Sequence, residues 1–125
     1  MKRDMDLIRS ILLKVEEAPS KPKSQQFLDP NDEAESQRVL QQLKLLEESG
    51  LIKGHPIDIQ GHHLLYDIEL TWEGHDFVDA VRDPKIWQKT KKSAEEAGGW
   101  TLDLLKDLAL GFLRKQVEAR TGVKL

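Results

Sequence analysis

Histidine is the side chain of this sequence with the widest chemical range, because it binds metals and transfers protons near neutral pH. Within 21 positions lie four of them: His55, His62, His63 and His75. His62 and His63 are adjacent, so they point to opposite faces of a strand, and neither has a carboxylate at a spacing that would complete a metal site. A catalytic role for His75 beside its acidic neighbours would need a nucleophile or a cleft that the sequence does not offer. We therefore expect a structural His75, no metal, no cofactor and no enzymatic activity.

Recognition of DNA is the second chemistry that the residue types allow. A helix over residues 33–49 is expected to expose five polar side chains, Gln37, Arg38, Gln41, Gln42 and Lys44. Gln and Arg read adenine and guanine edges in a major groove. The same residues are also good helix formers on a solvated face. Both interpretations stay open.

A basic cluster further along the chain could contact phosphates. It comprises Arg82, Lys85, Lys89, Lys91 and Lys92. Lysines at such spacings are also typical of an ordinary solvated helix face. Phosphate contact by Arg82, Lys85, Lys89 and Lys92 is the functional interpretation.

The charge distribution opposes DNA binding by the 33–49 helix. The chain has 19 basic and 22 acidic residues, a net charge of −3. Residues 33–49 carry −2, residues 50–80 carry −5 and residues 81–125 carry +4. Neutralising phosphates supplies most of the affinity of a DNA-binding surface, so an acidic helix and hairpin suit it poorly. A protein partner is the alternative.

The elements that must position these side chains can be read from apolar spacing. Apolar residues recur at helical intervals over residues 4–17 and again over residues 29–48, where Asp29 is the expected N-cap and Pro30 the first helical residue. Gly50 is expected to close the second helix in the left-handed conformation. The Pro-rich loop over residues 18–28 separates the two helices, and its end could form a short strand.

Two apolar runs, 52–59 and 64–70, predict a β-hairpin that turns at Gln60-Gly61. In its second strand one face is expected to carry four residues, Leu64, Tyr66, Ile68 and Leu70. Helices are then predicted from Trp72 to Arg82, from Asp83-Pro84 to Gly98-Gly99, and after Thr101. The three tryptophans, Trp72, Trp87 and Trp100, are interpreted as core residues.

Length and composition favour one domain of 125 residues that is α+β and mostly helical. A helix that is followed at once by a hairpin is typical of a winged-helix-like core, expected over residues 1–82, with a helical extension over 83–125. No apolar run reaches the roughly 18 residues that span a bilayer, so the cytoplasm is the expected location, without a membrane partner. The absence of cysteine excludes disulfides and thiolate sites.

The last helix has an apolar surface wide enough to favour a homodimer. Its candidate dimer face is Leu105, Leu108, Phe112 and Leu113.

Several segments together resemble a known family. They are Met1–Arg9, Leu45–Ile52, Leu70–Asp83 with its Thr-Trp-x-Gly-His-Asp-Phe motif, and a closing Gly-Gly-x-Thr-Leu-Asp-Leu-Leu-Lys. The chain resembles a family of small bacterial and prophage-borne proteins that is known only as a domain of unknown function. The resemblance implies a winged-helix-like domain and a frequent setting in phage or mobile elements, and it implies no activity or catalytic residue. The loop with Pro19, Pro22 and Asp29-Pro30 departs from the family pattern.

Two functions follow as hypotheses. The first is a DNA-binding transcriptional regulator of a mobile element. The second is a protein-interaction adaptor on a winged-helix scaffold that does not bind DNA. Fold alone does not decide between them.

Overall fold

A computed structural model describes residues 4–125, so the Met1-Lys2-Arg3 start of the family resemblance lies outside the described residues. The described chain is α+β, with five α-helices and one antiparallel hairpin. The elements in chain order are α1 (Met5–Glu17), a 3₁₀ helix (Ser24–Phe27), α2 (Glu33–Glu48), β1 (Ile52–Ile59), β2 (His62–Leu70), α3 (Trp72–Val81), α4 (Pro84–Glu96) and α5 (Leu102–Thr121). They form two compact units, one ending at His75 and the other Asp76–Leu125. The expected single domain stays a prediction.

The predicted first helix is confirmed as α1, which begins after Asp4. The Asp4 carboxylate accepts a hydrogen bond from the Leu7 backbone N–H at 3.0 Å, as an N-cap does. The apolar residues of α1 that face the core are Ile8, Ile11, Leu12 and Val15. Within the first unit α1 packs on α2 and on β2.

The start of the second helix is a correction. Its N-cap is Asp32, whose side chain accepts from the Glu35 N–H at 3.0 Å, and Asp29-Pro30 lies in a preceding turn. Asp29 instead accepts the Asn31 N–H at 2.9 Å, and its backbone oxygen accepts the Ser36 hydroxyl at 2.8 Å. Asp29 and Asp32 are both suitable N-caps. Because the Asp29 side chain stabilises the preceding turn, the helix begins after Asp32.

The end of α2 follows the expected motif. Gly50 has a φ of 82° and donates to the Glu47 carbonyl at 3.1 Å, while the Leu51 N–H donates to the Leu46 carbonyl at 3.1 Å. This pair of bonds is a Schellman motif, and Leu51 is buried as its apolar partner. The helix therefore stops abruptly and leads directly into β1.

The hairpin is confirmed, with Gln60 (φ 50°) and Gly61 (φ 81°) as the two turn residues. Positive φ at both positions indicates a type I′ turn, whose twist matches that of the flanking strands. The register that this turn sets pairs Ile59 with His62 and Asp58 with His63.

The expected faces of β2 are wrong because of a β-bulge. Lys53 pairs with Glu69 but His55 pairs with Tyr66, so two residues of β2 lie opposite Gly54. Asp67 adopts a left-handed φ of 51° in the bulge. The alternation shifts by one residue there, and the buried residues of β2 are Leu65, Ile68 and Leu70. A Cβ at Gly54 would lie 2.8 Å from the Tyr66 carbonyl oxygen, so the bulge requires glycine.

The loop between α1 and α2 covers the other edge of β2. The expected strand at its end is wrong, because residues 24–27 form a 3₁₀ helix. Contact with β2 is made instead by Pro22, whose carbonyl accepts the Ile68 N–H at 2.8 Å, and by buried Ser24. The Ser24 hydroxyl donates to the Leu65 carbonyl at 3.1 Å and accepts the Leu65 N–H at 2.6 Å. The β2 backbone is thus satisfied by one hydroxyl and one carbonyl in place of a strand.

The Thr-x-x-Gly part of the specific motif joins α3 to the end of α2. The Thr71 hydroxyl donates to the Gly50 carbonyl at 2.5 Å and accepts the Gly74 N–H at 3.0 Å, and the Thr71 N–H donates to the Leu51 carbonyl at 3.1 Å. A Cβ at Gly74 would lie 2.0 Å from that same Leu51 oxygen. Packing of α3 against the end of α2 therefore explains why the motif has threonine at position 71 and glycine at position 74.

In the second unit, α4 and α5 pack on each other. Asp83 caps α4 by accepting the Lys85 N–H at 2.8 Å and also accepts from the Gln116 side chain of α5 at 3.2 Å. Thr101 caps α5 by accepting the Leu104 N–H at 3.0 Å. These predicted caps are confirmed.

The tryptophans divide into different environments. Trp87 is 4 % exposed and belongs to the core, as expected. Trp72 is 84 % exposed, so its assignment to the core is wrong. Trp72 is the first residue of α3, and a side chain at that position can face solvent without disturbing the hydrogen bonds of the helix. Its apolar character therefore did not ensure that it is buried. Trp100 is half-buried.

None of the helices described over residues 4–125 combines the length and the apolar character needed to cross a membrane.

Candidate functional site

The outward face of α2 carries three of the five residues expected to read bases. Gln37 and Gln41 are half-buried and Lys44 is exposed, and all three line one hollow beside the hairpin turn. Their spacing of four and then three residues places them on one side of the helix, opposite the buried Val39 and Leu46. This part of the expected polar face exists.

Gln42 is not on that face, which corrects the expectation that it is exposed. Its side chain is only 1 % exposed, and its Oε1 accepts the Asp4 backbone N–H at 3.2 Å. The amide thus ties α2 to the start of α1. It lies on the core side of α2 with Val39, Leu43 and Leu46, where helical spacing from Val39 and Leu46 puts it.

Arg38 is exposed but is engaged within the chain. Its guanidinium forms an ion pair with Asp4 and a second, at 3.3 Å, with Glu35. Two carboxylates therefore face this one positive charge. Lys44 is left as the basic residue of the outward face.

One concave feature of the first unit is a groove between α2 and the hairpin. It is a hollow of about 280 Å³ that is lined by four apolar residues, three glutamines, a serine, a histidine and Glu33. We call it the α2–hairpin groove, and its apolar lining is Leu28, Leu40, Ile59 and Leu64. A second hollow of about 200 Å³ continues it towards Lys44 and His63, sharing Gln37, Leu40 and His62 with the first.

The hairpin presents apolar side chains beside this groove. Ile57 is 41 % exposed and Ile59 is 44 % exposed, although both belong to a strand that is otherwise polar at this end. The surrounding charge is negative, since residues 1–75 contain 9 basic and 14 acidic residues, a net of −5. An apolar groove within an acidic unit suits a partner with apolar and basic side chains.

His63 on β2 contacts both the neighbouring strand β1 and the helix α2. Its Nε2 lies 2.9 Å from the Glu47 carboxylate of α2, and its Nδ1 lies 3.2 Å from the Asp58 carboxylate of β1. The Glu47 hydrogen bond raises the pKa of His63 above its ordinary value of 6.5, against partial desolvation and with help from Asp58. Such a site holds a proton, but in residues 4–125 no three histidine or carboxylate side chains are arranged to bind a metal ion.

A third hollow, of about 270 Å³, lies between the end of α1 and β2 and is flanked by an ion cluster. Glu69 forms ion pairs with Lys21 at 2.8 Å and with Lys53 at 3.0 Å. The hydrogen bond from Lys21, and then that from Lys53, lowers the pKa of Glu69 to about 2. This cluster joins the loop, β1 and β2, and we interpret it as structural. His75, also expected to be structural, lines the same hollow and is exposed.

In the second unit the candidate phosphate contacts are only partly available. Lys85, Lys89 and Lys92 are exposed along one side of α4, and none of them forms an ion pair within the described residues. Arg82 is paired with Asp79 at 3.1 Å. Lys91 lies 5.8 Å from the centre of the Trp87 ring.

The candidate dimer face is also only partly accessible. Leu105 is fully buried in the chain, so it does not lie on an exposed face. Leu108, Phe112 and Leu113 are half-buried.

Two features of the site were missed by the sequence analysis. The pairing of Asp58 with His63 follows from the predicted two-residue turn, because Gln60-Gly61 sets the pairs outward from Ile59 and His62. That signal was available in the sequence. The approach of Glu47 was not, since it depends on how α2 packs beside the hairpin.

Comparison with known proteins gives a family but no activity. The family model described as "Hypothetical protein (DUF2513)" matches residues 2–100. A protein of Haemophilus influenzae, named "Uncharacterized protein", is 34 % identical over 110 residues, which are 87 % of this chain and 92 % of that relative. No solved structure matches the chain significantly. The match to most of its length shows that this chain belongs to the DUF2513 family.

Proposed function

We propose that this protein is a protein-interaction adaptor on a winged-helix-like scaffold and that the α2–hairpin groove receives the partner. The partner is a segment of another protein with a bulky apolar side chain flanked by basic residues. The observation that carries the proposal is the apolar lining of the groove, to which Ile59 contributes a side chain that is 44 % exposed, in a unit of net charge −5. A binding protein, rather than an enzyme, is part of this proposal, as is a setting in a phage or mobile element.

The scaffold part rests on topology. In a winged helix, the recognition helix is followed directly by the hairpin, as α2 is followed by β1 and β2. The hydrogen bond from Ile68 to the Pro22 carbonyl places the loop after α1 beside β2, where a winged helix has its first short strand. The 3₁₀ helix that follows takes the place of a full second helix.

The chemistry favours protein over DNA at this face. A base-reading helix needs free donors and a basic surround, but Gln42 is buried and Arg38 is held by Asp4 and Glu35. The groove supplies apolar surface, and because Ile59 is 44 % exposed, burying the rest of its side chain contributes somewhat less than half of the roughly 1.5–3 kcal/mol that a fully exposed isoleucine would give. The net charge of −5 on residues 1–75 steers basic partners and repels DNA.

Peptide display on the whole chain tests this proposal. A random-peptide library is selected on the wild-type protein, and enriched peptides are synthesised and measured by fluorescence polarisation. We expect enriched peptides to combine an aromatic or aliphatic residue with Lys or Arg. Ile59→Glu should weaken their binding roughly tenfold or more, because it removes an apolar wall of the groove.

Ile57→Glu is the matched control, since Ile57 is the same residue type on the same strand with nearly the same exposure but does not line the groove. It should retain most of the affinity. Peptides that bind both variants equally, or a library that yields no peptide dependent on Ile59, would remove the proposal.

DNA binding is the second candidate, and one observation favours it. Lys85, Lys89 and Lys92 lie along one side of α4 without an ion-pair partner among residues 4–125, in a unit whose 10 basic and 8 acidic residues give +2. Polarisation with a mixed-sequence duplex at low salt tests it, and the logarithm of the association constant should fall linearly with the logarithm of salt concentration. The triple Lys→Gln variant should lose this binding, whereas Lys14→Gln on α1 should not. Absence of salt-dependent binding by the wild-type chain would eliminate the candidate.

Homodimerisation stays a prediction that now depends on Leu108, Phe112 and Leu113. Light scattering at micromolar concentration tests it, and the mass of a single chain would contradict it.

A further inference from the structure

We propose that His63 is a protonation-dependent brace that holds the tip of the hairpin in place beside α2 and so sets the shape of the α2–hairpin groove. The effect on partner binding rests on the function proposed above. The brace itself is a property of the free chain.

The imidazole ring of His63 bridges its neighbouring strand and the preceding helix. His63 on β2 contacts Glu47 on α2 through Nε2 at 2.9 Å and its cross-strand partner Asp58 on β1 through Nδ1 at 3.2 Å. The four residues between Asp58 and His63 are the hairpin tip, and three of them line the groove: Ile59, Gln60 and His62. A contact that closes the base of the tip therefore acts on the groove wall.

The two contacts require a doubly protonated ring. An imidazolium donates from both nitrogens, whereas a neutral imidazole has one N–H and one lone pair. With a neutral ring, one of the two carboxylates would face a lone pair, and that contact would be lost. The brace therefore has two bonds at low pH and one at high pH.

The structure also indicates which bond persists. The Glu47 contact is the shorter one, and its carboxylate is only 25 % exposed, whereas the Asp58 carboxylate is 78 % exposed and can return to water. We infer that the neutral ring keeps its proton on Nε2, bonded to Glu47, and releases Asp58. Deprotonation then frees the end of β1 while β2 stays attached to α2.

The direction of the pH dependence follows from the pKa. Because the folded-state pKa of His63 is raised above 6.5, the second bond, to Asp58, is fully present below pH 6.5 and is lost as the pH rises through the higher folded-state value, while the bond to Glu47 persists. Lys44 on α2 and His62 on β2 are the other titratable groups of the adjoining hollow.

Nuclear magnetic resonance of the free, full-length chain tests the brace. Ring ¹⁵N shifts should show His63 titrating above pH 6.5 and reaching the Nε2–H tautomer when neutral. Amide-exchange protection of the tip, residues 59–62, should fall by up to about fivefold as His63 deprotonates, the range expected for one exposed ion pair. Protection is corrected for the intrinsic pH dependence of exchange.

Three variants separate the brace from other causes. His63→Gln and Asp58→Asn should each abolish the pH dependence of tip protection. Asp58→Asn leaves the contact between His63 and Glu47 intact, so it still tests the brace if His63→Gln disturbs folding. His62→Gln, at the neighbouring position, should keep the wild-type dependence. Tip protection that does not change while His63 titrates, or a neutral ring protonated on Nδ1, would overturn the inference.

The outcome is independent of the peptide experiment. If the tip responds to pH but no peptide depends on Ile59, the brace stands and the proposed function fails. If peptides bind through Ile59 but the tip does not respond, the proposed function stands and the brace fails.

Discussion

Gly74 is the glycine at which an added methyl group should lower the stability of the fold most. A Cβ there would lie 2.0 Å from the Leu51 carbonyl oxygen and 3.1 Å from its carbonyl carbon. Real Cβ atoms essentially never approach closer than 3.0 Å, so the backbone must move by about 1 Å. The obstacle is main chain rather than the end of a flexible side chain, and rotamer changes cannot relieve it.

The expected loss can be estimated from what that movement disrupts. Overpacking costs about 1–3 kcal/mol, and the rigid neighbour favours the upper part of the range. The displaced Leu51 carbonyl also accepts the Thr71 N–H at 3.1 Å, a bond with a net contribution of about 0.5–1.5 kcal/mol. The higher helix propensity of alanine returns about 1 kcal/mol. Gly74→Ala should therefore destabilise the protein by about 2–3 kcal/mol.

Gly111→Ala is the matched control. It is the same substitution inside a helix, but a Cβ at Gly111 has no atom within 4 Å, so the variant should be stabilised by about 0.5–1 kcal/mol. Urea unfolding followed by circular dichroism at 222 nm measures both. The opposite signs are the diagnostic feature, and a Gly74→Ala protein as stable as wild type would refute the packing argument.

Three further substitutions test single contacts. Gln42→Ala should cost about 1–3 kcal/mol, because the Asp4 N–H loses its acceptor in a buried setting, whereas the outward Gln41→Ala should stay within about 0.5 kcal/mol in the same urea assay. Trp72→Ala should change stability by no more than about 0.5 kcal/mol, since the ring is 84 % exposed, and a large loss of thermal stability would contradict this. Glu69→Gln should reduce the loss of unfolding free energy at acid pH. The lowered pKa of Glu69 gives a stabilising contribution that is present above pH 4.5 and is lost as the pH falls towards 2, and glutamine cannot make it. Urea midpoints that decline in parallel for the wild type and the variant would be inconsistent with this reasoning.

Much of the local structure was predictable because it depends on neighbours in sequence. The caps at Asp83 and Thr101, the glycine closure at Gly50 and the Gln60-Gly61 turn each need only residues within about five positions. Asp29 shows the limit of this reasoning. Asp29 and Asp32 both satisfy the local rule, and the turn around Pro30 selects the second.

The site was less predictable, because its residues come from separate elements. Helical spacing accounts for Gln37, Gln41 and Lys44 on the outward side of α2 and for Gln42 on the core side, but the contact between Gln42 and Asp4 depends on how α2 packs on α1. The α2–hairpin groove was not foreseen, since no pattern in sequence states how far a hairpin lies from the helix before it.

By itself, the sequence determined the order of the helices, most of their ends, the hairpin and its turn, since hydrogen bonds and φ preferences of short segments decide those. The tertiary structure decided which face of β2 is buried, because the bulge at Asp67 shifts the alternation by one residue. It also decided that Gly74 must lack a side chain and that His63 lies between Glu47 and Asp58. Each of these depends on the distance between atoms that are far apart in the chain, and packing alone sets that distance.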